Sequence, residues 1–193
     1  MRIKETAEKY QAKNKNLTYQ DYLNLPPDDF RYQLIEGELI MTPAPKVIHQ
    51  IVKSNIEKFL RKFVEEKDLG LVLDAPCDVY FDEQNVLQPD IFFISKNRSH
   101  IITEDLIKGA PDLIIEVLSP NSAYYDLIEK KALYERYKVQ EYWLADPKLK
   151  WIEVYILKDQ KFHLHQRAEK NQTIHSHLLK NFSLPLEQVF TKL

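Results

Sequence analysis

Residues 111–120 read "PDLIIEVLSP". From Leu113 to Leu118 this is a nearly continuous apolar run, bounded by proline at both ends, and it reads as a buried strand. Glu116 stands in its middle. Burying an unpaired carboxylate is costly, so this one is paired, bound to a cation or kept protonated. Strand alternation puts Ile114, Glu116 and Leu118 on one face and Leu113, Ile115 and Val117 on the other.

The strand-like segment before it, "DIFFIS", follows Pro89 and opens with Asp90. If the two strands pair antiparallel, the start of one lies beside the end of the next, and Asp90 approaches Glu116. Two neighbouring carboxylates in an apolar setting repel unless a cation joins them or one takes a proton. A hard divalent ion resolves the conflict. Mg²⁺ typically takes one or two protein carboxylates and completes its shell with water and phosphate oxygens. Asp90 and Glu116 are therefore the candidate metal ligands, with Mg²⁺ or Mn²⁺ as the ion and hydrolysis of a phosphodiester as the chemistry. Taken singly, Glu116 fits a structural carboxylate equally well, and Asp90 fits a residue that merely opens a strand.

Upstream, "RYQLIEGELIM" alternates around Glu36–Gly37 and reads as a tight hairpin. Thr18 and Asp21 form an N-cap pattern for a short helix through "YQDYLNL", ended by Pro26–Pro27. The clearest helix runs from about Lys46 to Glu66, with Ile48, Ile51, Val52, Ile56, Phe59, Leu60 and Phe63 on one face. "LVLDA" and "DVYF" read as strands, and "KNRSHIITEDLIKGA" as a loop with a helical turn. Downstream, Asn121–Ser122 can cap a second helix, about Tyr124 to Tyr137. "EYWLAD", "WIEVYIL" and "KFHLHQ" then read as strands, the first two joined at an Asp146–Pro147 turn. No internal repeat or linker interrupts this pattern. The expectation is an α/β (α+β) protein: a tail over residues 1–17, then one domain over 18–193 with a mixed sheet flanked by at least two helices.

Composition narrows the chemistry. Only 3 glycines occur in 193 residues, with no GxGxxG or Walker-type run, which argues against a Gly-rich phosphate cradle. The net charge of -2 shows no basic surplus, although a basic cleft can sit within a neutral protein. A single cysteine, Cys77, excludes an internal disulfide and a multi-cysteine zinc site. The polar start carries no signal-peptide core, and no segment is apolar enough for a membrane helix, so a cytoplasmic protein without membrane contact is expected.

The run "QPDIFF…PDLIIEVLSPNSAYYDLIEKKALYERYKVQEYWLADP" resembles the bacterial "putative restriction endonuclease" family of the PD-(D/E)xK nuclease superfamily. The resemblance covers roughly Tyr19 to Tyr155. It implies a restriction-endonuclease-like fold, a metal-dependent nuclease and a nucleic-acid partner, DNA above all. Asp90 matches the first acidic position and Glu116 the second. The superfamily's lysine, two residues after the second acid, is Leu118 here. The resemblance places the substitute lysine on the following helix, at Lys130. Relatives commonly carry Glu where this chain has Gln33, with Glu36 or Glu38 as possible compensation.

Other residues keep two readings. Asp126 and Lys130 are four apart and can form a surface ion pair worth about 0.2–0.5 kcal/mol, or Asp126 can support the site. Lys131 faces elsewhere on the helix. Asp112 shares the face of Glu116 and is either a distal ligand or a strand-edge cap. His49, followed by Gln50 as in relatives, faces the cleft or the helix surface. His163, His165, His175 and His177 suggest zinc, but solvent-facing strand positions explain them more simply. Tyr142, Trp143 and Trp151 can stack bases or pack a sheet. Homodimerisation is expected, because nucleases that cut two strands often use two sites. The alternative to an enzyme is a nuclease-like fold kept as a nucleic-acid-binding or protein-interaction module, motivated by Leu118 and Gln33.

Overall fold

The computed structural model describes residues 16–25, 30–42, 44–119 and 125–191; the side chains of Thr42 and of residues 125–127 are not described. Strand β8 (Leu113–Val117) is buried along its whole length. It pairs antiparallel with β6 (Ile91–Ser95) and parallel with β9 (Glu141–Asp146). Beyond β6 lies β3 (Gly70–Asp74), and beyond β9 lie β10 (Trp151–Lys158) and β11 (Lys161–Glu169). These six strands form the mixed central sheet, in the order β11-β10-β9-β8-β6-β3. A strand buried on both faces needs apolar residues at every position, which explains the unbroken run around Glu116.

The Glu36–Gly37 hairpin joins β1 (Arg31–Ile35) to β2 (Glu38–Thr42). Both turn residues have positive φ, 50° and 74°, as a primed two-residue turn demands. With β4 (Val79–Asp82), β5 (Asn85–Leu87) and β7 (Ile107–Lys108) the hairpin builds a second, five-stranded sheet. A short ribbon pairs β12 (Thr173–His175) with β13 (Ser183–Pro185). The sequence reading lacked β5, β7, β12 and β13. Each has only two or three residues, too few for a periodic signal.

Helix α1 (Tyr19–Leu23) starts with the expected N-cap at Thr18, which forms a reciprocal capping box with Asp21. Helix α2 (Val47–Glu66) covers one face of the central sheet, where Val52, Ile56, Leu60 and Val64 pack on Ile91, Phe93, Ile115 and Val117. Its buried stripe differs from the expected one. It contains His49 and Lys53, while Ile48 is 37 % exposed. Polar partners beneath the helix rotate it: Lys53 Nζ donates to Asp74 Oδ2 at 2.6 Å and to Ala75 O at 3.0 Å.

The expected second helix is split. Residues Tyr125–Lys130 form a π-helical turn, and α3 (Lys131–Arg136) continues as α-helix. Leu133 and Tyr134 of α3 pack with Phe92, Ile114, Tyr142 and Leu144 on the sheet's other face, beside Ile35, Val79 and Leu87 of the second sheet. The proposed cap Asn121–Ser122 and residues 1–15 lie outside the described residues. A last helical turn, α4 (Leu186–Val189), closes the chain.

The aromatic residues serve packing: Tyr142 and Trp143 are fully buried. The four C-terminal histidines are exposed. Among the described residues no helix is long and apolar enough to cross a membrane.

Candidate active site

The β6–β8 register sets Ile91 opposite Ile115. One step further, where β6 begins and β8 ends, Asp90 stands beside Glu116. The antiparallel inference from sequence therefore holds. Asp90 Oδ2 accepts from Val117 N at 2.8 Å and pairs with His49 Nε2 at 3.0 Å. His49 is 7 % exposed and comes from the first turn of α2, so it faces this cleft. Burial alone pushes the Asp90 carboxyl up. The hydrogen bond from His49, the charges of His49 and Lys130, and the Val117 amide together outweigh burial and hold it below the ordinary value.

Glu116 is 2 % exposed. Its Oε1 accepts from Lys130 Nζ at 2.9 Å and from Tyr134 Oη at 2.6 Å. Lys130 is the last residue of the π-helical turn and is 5 % exposed. The following Lys131 points away, its ammonium 3.4 Å above the Tyr155 ring. The sequence position where the superfamily lysine would stand holds Leu118, half-buried against the core. An ammonium thus reaches Glu116 from the helix and not from the strand. Tyr134 was missing from the sequence reading. It lies four residues after Lys130, a spacing that puts both on one helical face and could have flagged it.

Gln33 is buried on β1, and its Oε1 accepts from Gln88 N at 3.1 Å, two residues before Asp90. Of the supporting acids, Glu36 and Asp112 do not join this cluster. Glu36 is exposed and pairs with Arg136 at 2.6 Å, because the turn that carries it projects from the second sheet toward α3. Asp112 sits at the opposite end of β8, roughly 13 Å of strand from Glu116. Its carboxylate is consumed there by Ser95 N at 2.7 Å, Arg98 at 3.1 Å and Gln140 at 2.8 Å. Asp126 lies on the π-helical turn, and its side chain is outside the described residues.

Among the described residues, no group of three or more His, Cys, Asp and Glu side chains is arranged to hold a metal. The residues that would hold a hard divalent ion are Asp90 and Glu116, two carboxylates with no thiolate, the donor types that Mg²⁺ or Mn²⁺ takes.

A second buried acid, Glu141, is unrelated to the cleft. It accepts from Trp143 Nε1 and Ser176 Oγ on one oxygen and from the amides of His177 and Leu178 on the other, at 2.6–2.8 Å. It is a structural carboxylate, of the kind that Glu116 alone might have been taken for.

Comparison with known proteins bears on the fold and the family. A solved structure from Anabaena variabilis, described as "a putative nuclease belonging to DUF820", superposes with a TM-score of 0.75 over 91 % of this chain and 98 % of that one, at 21 % identity. The fold is restriction-endonuclease-like. An uncharacterized protein of Synechocystis sp. is 24 % identical over 137 residues, which are 70 % of this chain and 77 % of the relative. Residues 19–187 match the Uma2 family, described as "Putative restriction endonuclease", and the chain belongs to that family.

Proposed function

We propose that this chain is a metal-dependent nuclease that hydrolyses phosphodiester bonds, with DNA as substrate. The observation that carries the reading is the meeting of Asp90 and Glu116 at adjoining ends of β6 and β8, with Lys130 on Glu116. Asp90 and Glu116 would hold Mg²⁺ or Mn²⁺. When bound, the ion supplies Lewis-acid polarisation of the phosphate and lowers the pKa of water. His49 and the Val117 amide fix the Asp90 carboxylate. Lys130 places a cation beside the reacting phosphate, where it stabilises the negative charge that grows in the transition state. Leu118 contributes no charge and packs against the core. Two copies acting as a homodimer would address both strands of a duplex.

The test is cleavage of supercoiled plasmid with Mg²⁺ or Mn²⁺, beside Asp90→Ala, Glu116→Ala and a chelator control. The reading expects loss of cleavage in all three. Unchanged divalent-dependent cleavage in both variants would overturn the assignment.

A second reading, a binding module without turnover, draws on one observation: His49 and Lys130 already compensate the two carboxylates without a metal. Tight, salt-sensitive DNA binding with no cleavage under any divalent ion would favour it.

A further inference from the structure

We infer that Tyr134 is a positioning residue of the same site: its hydroxyl holds Glu116 in place when Lys130 turns toward the phosphate. The inference rests on the nuclease reading above. Lys130 has two duties there that conflict. Its ammonium neutralises Glu116 at 2.9 Å, and the reaction asks it to face developing charge on the substrate. A lysine that leaves a buried carboxylate strands a charge, unless a second donor stays behind.

Tyr134 is that donor. It is fully buried, and its hydroxyl reaches the same oxygen, Glu116 Oε1, at 2.6 Å. It carries no charge, so it leaves the negative charge of the carboxylate in place for a cation. Its ring is fixed between Phe81 and Tyr142, at centroid distances of 5.9 and 5.5 Å. The packed ring holds the hydroxyl toward Glu116. The π-helical turn ends at Lys130, and regular α-helix begins at Lys131. The lysine thus sits where helical hydrogen bonding changes register, a common setting for functional residues. The tyrosine sits on the regular helix, packed and rigid. A cation at the change of helical register and a hydroxyl on the regular helix share one acceptor.

The test uses Tyr134→Phe, which keeps the ring and its packing and deletes only the hydroxyl. Tyr137→Phe is the control, since that hydroxyl bonds Asp82, outside the cleft. Mn²⁺ is titrated calorimetrically into wild type, both variants and Asp90→Ala, in the presence of inorganic phosphate, with thermal melts confirming folded protein. Hydrogen-bond partners of metal ligands typically matter 10–100-fold, so Tyr134→Phe should weaken Mn²⁺ binding about 10-fold while Tyr137→Phe leaves it unchanged. In plasmid cleavage, Tyr134→Phe should lower kcat with KM little changed. Wild-type Mn²⁺ affinity in Tyr134→Phe, with binding lost in Asp90→Ala, would overturn the role of Tyr134 and leave the nuclease reading standing. Absence of Mn²⁺ binding in wild type would overturn both. Equal losses in Tyr134→Phe and Tyr137→Phe would reduce Tyr134 to a structural role.

Discussion

Lys130 Nζ lies 2.9 Å from Glu116 Oε1, across fourteen residues of chain and from a different element. Both side chains are almost wholly buried. Such a pair is costly to form and more costly to break from one side. Lys130→Met should therefore destabilise the protein by about 3–5 kcal/mol, less whatever Tyr134 retains. Lys130→Met with Glu116→Gln should recover much of that loss, because no uncompensated charge remains. Urea unfolding of the single and double variants checks both statements.

Asp90 gives the site a pH dependence of definite sign. Its carboxyl is held below the ordinary value in the folded protein, against about 4 in the unfolded chain. Its contribution to stability is therefore complete above the unfolded value. It is lost as pH falls through the lower folded value. In Asp90→Asn the acid limb of the stability profile should be shallower than in wild type. Urea midpoints between pH 2 and pH 6, an interval of about four units around that value, supply the comparison.

Glu141 and Glu116 are both buried acids, and one variant separates their roles. Glu141→Ala strands the indole N–H of Trp143, the Ser176 hydroxyl and two amides. It should cost more than about 3 kcal/mol, since each orphaned donor costs about 1–3 kcal/mol. Protein that remains folded at low temperature should bind Mn²⁺ as wild type does. Loss of Mn²⁺ binding in folded Glu141→Ala would contradict the division between a structural acid and a site acid.

Gly70 opens β3 with φ +152°, and a Cβ there would meet Ile94 O at 2.1 Å. Gly70→Ala forces β3 away from β6, the strand that Asp90 introduces. The expected cost is about 3 kcal/mol, read from the melting temperature.

The neighbourhood of Asp90 and Glu116 was legible in the sequence because both strands are apolar and each is preceded by a Pro-Asp pair. Alternation and antiparallel pairing then leave little choice. The Glu36–Gly37 hairpin and the α1 cap were legible for a similar reason, since their residue types are demanded by local geometry. Other parts could not be read. Hydrophobic periodicity counts histidine and lysine as outward-facing, so the true buried face of α2, with His49 and Lys53, was hidden by its own polar members. Asp112 shares the face of Glu116 but not its end of the strand, a difference that alternation alone does not weigh. Tyr134 shares a helical face with Lys130, but that it reaches Glu116 required knowing that the helix crosses above β8. The π-helical turn leaves no mark in residue type.

The parallel pairing of β8 with β9 has one more consequence. Parallel neighbours cannot be joined by a tight turn, so the chain must leave the end of β8, cross the sheet and come back. That return path carries Lys130 and Tyr134, and it starts beside Glu116 whatever its residues are. A lysine at residue 118 and a lysine at residue 130 are two addresses on one road past the same carboxylate. The topology lets a cation come to Glu116 from the crossover helix as well as from the strand.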